Sequence, residues 1–337
     1  TRIMTNHLNA KTMPEYFEKR FHSKGLKIAS AFIVFIFLIP YTASVYNGLS
    51  RLFNMAFGLD SDASYKIIII AMAIITAIYV ILGGYAATAI NDFVQGIVML
   101  LGIIAVVVCA VSSQGGFSHA LKQLGEIEYQ GMTDQYNSIL GPDPINLIGV
   151  IILTSLGTWG LPQMVHKFYA VKDEAAIKKG TIISTLFAFI VAGGSYFLGG
   201  FDRLFCTVQG ESGKTFIRTL PNGSPEYDAM IPAVLKSALP ELLIGLVVVL
   251  VLSASMSTLS SLVLTSSSTL TIDFIKPKMK KQDERKEVII MRALIAAFLI
   301  ISVIIAFNKT ASISTLMSYS WGALAGAFLG PFLYGLY

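Results

Sequence analysis

Long apolar runs that carry almost no charge recur along the chain, and they constrain its fold more than any other feature. A helix that crosses a bilayer needs about 20 mainly apolar residues. Seven runs reach or approach that length: 28–57, 65–90, 93–113, 145–170, 180–200, 240–272 and 288–307. An eighth run, 316–337, is short and rich in glycine. Because backbone polar groups in hydrocarbon must be bonded within the protein, these runs predict about eight transmembrane helices.

Composition agrees with this fold class. The chain is 54% hydrophobic and 13% charged, whereas roughly a quarter of the residues in a soluble domain are charged. We expect an all-α integral membrane protein in which residues 1–337 form a single transmembrane domain, with the lipid bilayer and no nucleic acid as a partner. The cysteines Cys109 and Cys206 lie in different contexts, so they predict neither a disulfide framework nor a metal cluster.

The positive charges are concentrated in three links between the apolar runs. Residues 1–27 contain six Lys or Arg, residues 167–179 four and residues 276–292 seven, together 17 of the 25. Counting helices along the chain places these links on one side of the membrane and the cation-poor loops on the other. The positive-inside rule therefore predicts a multi-pass cell-membrane protein whose basic links are cytoplasmic.

Two of the apolar runs are interrupted. Pro40 lies inside "FIFLIPYTAS", and Gly157, Gly160 and Pro162 interrupt "ILTSLGTWGLPQM". An interrupted membrane helix usually lines a cavity, because its freed carbonyl groups need polar partners. A tolerated kink between packed helices is the alternative at Pro40, whereas the pattern at 157–162 favours a cavity.

The run "VVVLVLSASMSTLSSLVLTSSSTLTIDF", residues 247–274, begins as hydrocarbon and then fills with hydroxyl groups. Ala254, Ser257, Thr258 and Ser261 follow the spacing i, i+3, i+4 and i+7, so they share one helix face. Ser257, Ser260 and Ser261 form a second, overlapping cluster at helical spacing. Small residues can serve close helix packing, and buried hydroxyl groups can bond to their own backbone.

A cation site is the other interpretation of these hydroxyl groups. Hard ions such as sodium bind oxygen, and hydroxyl groups and free carbonyls supply it without charge. A neutral cage suits a monovalent ion that must also leave. It avoids a bare carboxylate at the centre of the bilayer, which is costly.

Asp92 is a further candidate, at the join of two apolar runs in "GGYAATAINDFVQG". A carboxylate in such a position predicts a functional site. With Gln95 it also fits an N-terminal capping box for the following helix. Both interpretations remain open from the sequence, since a capping carboxylate can also attract cations.

Five segments together resemble the sodium:solute symporter family, whose members include proline, pantothenate, glucose and sialic-acid cotransporters. They are "TMPEYFEKRF", "GGYAATAINDFVQG", "GLPQMVHKFYAVKD", "SASMSTLSSLVLTSSSTLTIDF" and "SYSWGALAGAFLGPFLYGLY". Two positions depart from the family pattern: Asn91 stands where threonine is commoner, and Lys167 replaces the usual arginine. The resemblance implies the inverted-repeat fold of five plus five helices, with core helices three to ten present in this chain. It also leads us to expect that the chain is incomplete at both ends and lacks the first core helix.

The resemblance also assigns roles to single residues. The family's principal sodium site corresponds to the Ala254 carbonyl and the Ser257 and Thr258 hydroxyl groups. A second ion, which some members bind, corresponds to Asp92, Ser257, Ser260 and Ser261.

For the solute, the resemblance points to Tyr41, Thr154, Thr158 and Trp159. The proline carriers have Trp and Tyr where this chain has Thr154 and Thr158, so their pocket is not kept. Trp159 could instead be a packed aromatic residue.

The function implied is sodium-coupled symport, in which Na⁺ drives the import of a small organic solute by alternating access. The solute would be an amino acid, a carboxylate or a sugar. A transporter-like sensor domain is the alternative, which a signalling domain after Tyr337 would distinguish. We do not expect an enzyme, because the four histidines, His7, His22, His119 and His166, lie in loops or at a helix end without a catalytic pairing.

Overall fold

The computed structural model describes Met4 and residues 7–59, 61–169, 171, 173–207, 214–217, 225–279, 283–308 and 312–336, leaving aside the side chains of 82–89, 91, 166–169 and 174. The α-helices with described bounds are α1 Met13–Phe21, α2 Lys24–Phe57, α3 Asp62–Ser113, α4 Phe117–Glu126, α5 Pro144–Ser155, α6 Pro162–Tyr169, α7 Glu174–Phe205, α8 Met230–Ala238, α9 Glu241–Leu270, α10 Glu284–Ala306 and α11 Ile313–Leu336. Two-residue strands, β1 Cys206–Thr207 and β2 Thr215–Phe216, pair in parallel with Cys206 opposite Thr215.

Short helical turns complete the described structure. There are 3₁₀ turns at Gly157–Gly160, Tyr227–Ala229 and Lys276–Lys278, and a π-helical turn at Thr271–Ile275. The π turn follows α9 directly and carries the chain towards α10.

Helix α1 is a short amphipathic helix that covers one end of the bundle. The Thr12 hydroxyl caps it by accepting a hydrogen bond from the Glu15 amide at 3.1 Å. Its apolar side buries Met13, Tyr16 and Phe17. The helix therefore docks onto α2 and α11 instead of projecting into solvent.

Helix α2 continues through Pro40, which supports the tolerated-kink interpretation of that residue. The Thr42 hydroxyl donates to the Leu38 carbonyl at 3.0 Å, just beyond the proline. The helix ends at Gly58, whose φ of 63° is left-handed and costs glycine little.

Helix α3 joins two of the predicted spans in one continuous helical backbone, Asp62–Ser113. Asp92 lies within this helix, so the interpretation that it caps a new helix is wrong. The residues before it, "AATAI", are rich in alanine, the strongest helix former, and favour continuation of the helix.

The predicted span 145–170 is broken, as its glycines and proline indicated. Helix α5 gives way to the 3₁₀ turn at Gly157–Gly160, and α6 begins at Pro162. A Cβ atom on Gly160 would lie 3.0 Å from the Leu329 amide nitrogen and 3.1 Å from the Ala325 Cα on α11. The break therefore brings this turn into close backbone contact with α11.

Helix α9 packs against α2, α3 and α10 and lies at the centre of the bundle. One apolar core lies between α2, α9, α10 and α11, around Leu38, Leu262 and Phe298. A second core joins the later part of α3 to α7 and α8, around Val106 and Phe201. The hydroxyl-rich part of α9 is thus buried among other helices along much of its length, while Ser257, Thr258 and Ser261 are half-buried.

Within the described residues, six segments are long and apolar enough to cross a membrane: Lys24–Phe57, Asp62–Ile81, Asp92–Ser113, Ala175–Phe205, Glu241–Lys278 and Glu284–Ala306. These six correspond to six of the predicted runs, and the total of about eight spans stays a prediction. The run 145–170 is divided by its break, and α11 is a helix of 24 residues whose glycine, serine and tyrosine content lowers its hydropathy.

The two ends of the bundle differ in their charged contacts. At the basic end, Lys27 near the start of α2 bonds Glu18 at 2.6 Å, and Lys276 lies 2.8 Å from Glu287. Arg51 lies 24 residues further along α2, about 36 Å away at 1.5 Å per residue. At that opposite end it pairs with Glu226.

Candidate cation and solute site

Oxygen atoms of α9 converge at the predicted principal site. The Thr258 hydroxyl donates to the Ala254 carbonyl, with the two oxygens 2.9 Å apart. One turn of helix separates these residues, so the geometry follows directly from their i, i+4 spacing. Both residues are half-buried, as is Ser257.

The same contact is compatible with both interpretations made from the sequence. A threonine hydroxyl that bonds to its own backbone is a common way to satisfy a buried group. The oxygen nevertheless keeps lone pairs that can bind a cation. Two oxygens 2.9 Å apart can contact one ion at the 2.3–2.6 Å that hard cations of this size prefer.

In the second predicted cluster, part of the hydrogen bonding is made within α9 itself. The Ser260 hydroxyl donates to the Ser257 carbonyl at 3.0 Å and is almost fully buried. Ser261 is half-buried on the neighbouring face. Asp92 is half-buried on α3, which packs against α9. Its membership of a second ion site stays a prediction.

The described part of the chain holds no cluster of three or more His, Cys, Asp or Glu residues that could bind a metal ion. The oxygens that α9 offers are neutral hydroxyl and carbonyl groups. Such a donor set fits a weakly held monovalent cation better than a resident transition metal.

Tyr41 lies in a different environment from the other predicted solute residues. It is 8% exposed, and its ring meets Trp321 of α11 edge-on, with the ring centroids 5.8 Å apart. Sequence reasoning missed Trp321, although it is one of only two tryptophans in the chain. The rarity of tryptophan in this chain was the available signal.

The hydroxyl groups predicted from the interrupted segment bond to their own helix backbone. The Thr154 hydroxyl donates to the Val150 carbonyl at 2.8 Å, and the Thr158 hydroxyl to the Ser155 carbonyl at 3.0 Å. Trp159 is 56% exposed. This exposure does not fit a packed aromatic residue, and the assignment of Trp159 to the solute site stays a prediction.

Two further buried polar residues were not singled out from the sequence. Gln163, directly after the proline of the interrupted segment, is 3% exposed, and its amide finds no hydrogen-bond partner among the described residues. Asp273, in the π turn, is 2% exposed and lies 3.8 Å from Lys27. A carboxylate at the end of an apolar run was the signal that could have found it.

A cavity of about 920 Å³ lies away from these residues. It opens between α4, the end of α7 and the start of α8, where Tyr136, Arg203 and Tyr227 line it. Arg203 stacks on the Tyr136 ring at 4.3 Å. This cavity belongs to the end opposite the basic links and is not the candidate cation site.

The comparison with known families identifies the chain. The family model described as the sodium:solute symporter family matches residues 2–337. The chain belongs to the sodium:solute symporter family. The resemblance found in the five sequence motifs is therefore confirmed. Of the positions that depart from the family pattern, the side chains of Asn91 and Lys167 lie outside the described residues.

Relatives in this symporter family carry names that specify proline. The osmoregulated proline transporter OpuE of Bacillus subtilis (strain 168) is 28% identical over 332 residues, which cover 98% of this chain and 63% of the relative. The sodium/proline symporter of Staphylococcus aureus is 28% identical over 345 residues, which cover 98% of this chain and 61% of the relative. The chain thus spans about three fifths of the length of these curated relatives.

The fold is also found in a solved structure of a sodium-coupled symporter. A sodium-coupled sialic acid symporter, in a substrate-bound outward-open state, superposes with a TM-score of 0.73. The match covers 99% of this chain and 68% of that one, at 16% sequence identity. The predicted all-α, inverted-repeat symporter fold is confirmed at the level of architecture.

Proposed function

We propose that the protein is a sodium-coupled secondary active transporter that imports a small organic solute by alternating access. The observation that carries the proposal is the pair of neutral oxygens, Thr258 Oγ1 and Ala254 O, 2.9 Å apart on a central helix of a symporter-family chain. Ser257, on the same helix face, supplies a third oxygen. These three residues form the proposed principal site for Na⁺.

The chemistry of this site suits a reversible coupling ion. Neutral oxygens replace part of the hydration shell without holding the ion so tightly that it cannot leave. For each sodium ion that enters, the membrane potential supplies about 2.3 kcal/mol of driving free energy per 100 mV. Coupling requires that sodium and solute each raise the affinity for the other by the same factor.

The solute site is proposed on α2 and the interrupted segment. The edge-on pair of Tyr41 and Trp321 offers an aromatic wall with two polar atoms, which suits a small molecule with one apolar side. Thr154 and Thr158 add hydroxyl groups. An amino acid, a carboxylate or a sugar would match this mixture, and proline is one candidate because two relatives are named for it.

The proposed orientation in the cell membrane places the basic links 1–27, 167–179 and 276–292 in the cytoplasm. Contacts between described residues support a common location for two of them. Lys27 of the first link lies 3.8 Å from Asp273, three residues before the third link begins. Both links therefore lie at the same end of the bundle.

Uptake by purified protein in proteoliposomes tests the proposal. A panel of amino acids, carboxylates and sugars is offered with an inward sodium gradient and, in parallel, with potassium in its place. We expect at least one solute to accumulate only with sodium. If a solute binds but never accumulates with any cation, the sensor alternative is favoured; sodium-independent accumulation would contradict the coupling.

A further inference from the structure

The cavity of about 920 Å³ at the end opposite the basic links has the size of a ligand site, since such sites typically hold roughly 300–1,000 Å³. We call it the outer cavity. Its walls come from α4, the loop that follows α4, the end of α7 and the start of α8. The described lining residues include none from α2, α9, α11 or the interrupted segment. The outer cavity is therefore separate from the proposed sodium and solute sites.

One guanidinium group in the outer cavity is held in place but is not paired. Arg203 is half-buried and stacks on the Tyr136 ring, 4.3 Å from the ring centroid. Tyr129 meets Tyr136 edge-on, with the ring centroids 5.7 Å apart, and supports this ring. Within the described part of the chain, no oxygen atom accepts a hydrogen bond from Arg203. Stacking leaves the planar fork of N–H donors available, and this fork fits a carboxylate with two parallel hydrogen bonds.

Two carboxylates line the outer cavity without contacting this arginine. Glu126 ends α4, Glu128 follows two residues later, and both side chains are exposed. Neither of them forms an ion pair with another described residue. Lys214, next to β2, adds a second positive charge to the lining. The outer cavity thus presents charges of both signs, and Arg203, Glu126 and Glu128 stay available to a ligand.

Hydrogen-bonding and apolar groups complete the lining. The Gln123 amide oxygen is buried and has no hydrogen-bond partner among the described residues, so it can accept a hydrogen bond from an ammonium group. Leu204 and Ile217 are buried and give the outer cavity an apolar side. A ligand that fits this lining has a positive group, a negative group and a short carbon chain.

From these observations we infer that the outer cavity binds a small zwitterion, an organic molecule with one carboxylate and one ammonium group. The Arg203 guanidinium binds the carboxylate, and Glu126 and Glu128 attract the ammonium group. A zwitterion satisfies both signs of charge, whereas an anion or a cation of the same size satisfies only one. The inference goes beyond the proposed function, because binding in this cavity requires neither sodium nor transport.

Binding to the purified full-length protein tests the ligand class. Two zwitterions with different charge separations, 4-aminobutyrate and 6-aminohexanoate, are titrated in sodium-free buffer and followed by ligand-detected NMR. Butyrate and butylamine are the controls with a single charge. We expect at least one zwitterion to bind with a Kd at least tenfold lower than that of either control. Equal or undetectable binding of all four compounds would overturn the inference.

Variants then assign this binding to the outer cavity. Arg203→Gln should raise the Kd of the zwitterion at least tenfold, because it removes the charged fork. Arg292→Gln, which changes an exposed arginine of α10, is the matched control and should leave the Kd unchanged. Trp321→Leu, in the proposed solute site, should leave it unchanged as well. Weaker binding in Trp321→Leu together with unchanged binding in Arg203→Gln would place the zwitterion in the solute site and overturn the inference.

The carboxylates provide a test that does not depend on the fold of the arginine variant. Glu126 and Glu128 are both exposed, so Glu126→Gln/Glu128→Gln should fold like the wild type. In this double variant we expect the zwitterion to bind no better than butyrate, because the acceptor for the ammonium group is gone. An unchanged preference for the zwitterion over butyrate would contradict the proposed binding mode.

The outer cavity also borders a turn that contacts two membrane helices. Tyr227 lines the cavity. Its neighbour Glu226 pairs with Arg51 of α2, and Asp228 Oδ2 accepts a hydrogen bond from the Ile313 amide of α11 at 3.0 Å. Alternating access requires contacts at this end of the bundle to change. A zwitterion that restrains the turn should therefore slow uptake, and we expect a decrease of about threefold.

Uptake of a different solute into proteoliposomes measures this effect, with the zwitterion at a saturating external concentration. The maximal rate should fall in the wild type and not in Arg203→Gln, with the solute KM unchanged. Equal inhibition in both proteins, or none in the wild type, would overturn the coupling between the outer cavity and transport. Only this coupling rests on the proposed function: if no solute is transported, the symport proposal fails, while the NMR titrations still decide whether the site exists.

Discussion

The proposed ion site and the proposed solute site differ in how the fold assembles them. The oxygens of Ala254 and Thr258 lie on one uninterrupted helix, where their sequence spacing alone brings them to 2.9 Å. The solute residues come from separate elements: Tyr41 on α2 meets Trp321 on α11, while Trp159 stays 56% exposed. The geometry of a site on one helix follows from the spacing of its residues along that helix. The geometry of a site between helices depends on how the helices pack, which the sequence does not show directly.

The strongest test of the proposed ion site removes the side-chain oxygens that would bind sodium. Ser257→Ala or Thr258→Val should raise the sodium concentration for half-maximal uptake about a hundredfold, equivalent to ~2.7 kcal/mol, because each deletes an oxygen that a neutral site cannot replace. Sodium titration of uptake measures it. Ser266→Ala is the control, a buried hydroxyl that donates to Val263 on another face of the same helix. Equal sodium dependence in all variants would refute the assignment.

Gly160 tests the close packing of the interrupted segment against α11, which supports the proposed solute site. In Gly160→Val the side chain would press on the α11 backbone, where a Cβ atom lies 3.0 Å from the Leu329 nitrogen. We expect a loss of about 2 kcal/mol in stability, since overpacking forces backbone shifts. Thermal unfolding of the purified protein measures it. Gly149→Val on α5, where nothing lies within 4 Å of an added Cβ atom, is the matched control and should be nearly silent. Similar losses in both variants would show that the close contact is not what matters.

The aromatic pair is tested by truncating the residue that sequence reasoning missed. Trp321→Leu should raise the solute KM about tenfold while leaving the sodium requirement at saturating solute unchanged, because it removes a wall of the solute site and no sodium ligand. Trp159→Phe is the matched aromatic control and should have little effect, since Trp159 is exposed. A larger effect at Trp159 would assign the aromatic wall of the solute site to Trp159 instead of Trp321.

The smallest expected effect concerns the second ion. Asp92→Asn keeps one acceptor oxygen, so we expect the half-saturating sodium concentration to rise only about threefold, with weaker cooperativity between sodium ions. The sodium dependence of uptake, fitted for both midpoint and steepness, measures it. An unchanged curve would remove Asp92 from the ion sites.

Much of the architecture was predictable because it follows from local rules. Run length and composition predicted the helical membrane fold, and the Gly157, Gly160 and Pro162 pattern predicted the broken segment. The sequence predicted separate spans on either side of Asp92, whereas the alanine-rich residues before Asp92 continue the helix through it. The glycine and serine residues of α11 reduce its hydropathy, so its membrane span stays a prediction.

The candidate site was predictable only where one helix builds it. Helical spacing grouped Ala254, Ser257 and Thr258, and the family resemblance gave them roles. Trp321 and Asp273 were missed because their importance arises from neighbours 280 and 246 positions away in sequence, Tyr41 and Lys27. A single sequence carries no signal for such pairings beyond the unusual residue type itself.

Equilibrium binding of radioactive sodium to the purified full-length protein tests the central claim most directly. The account predicts saturable binding that unlabelled sodium displaces and choline does not, with binding at the same sodium concentration strongly reduced in Ser257→Ala and Thr258→Val and retained in Ser266→Ala. Saturable sodium binding that is equal in all four proteins would contradict the claim that the hydroxyl groups of α9 hold the ion.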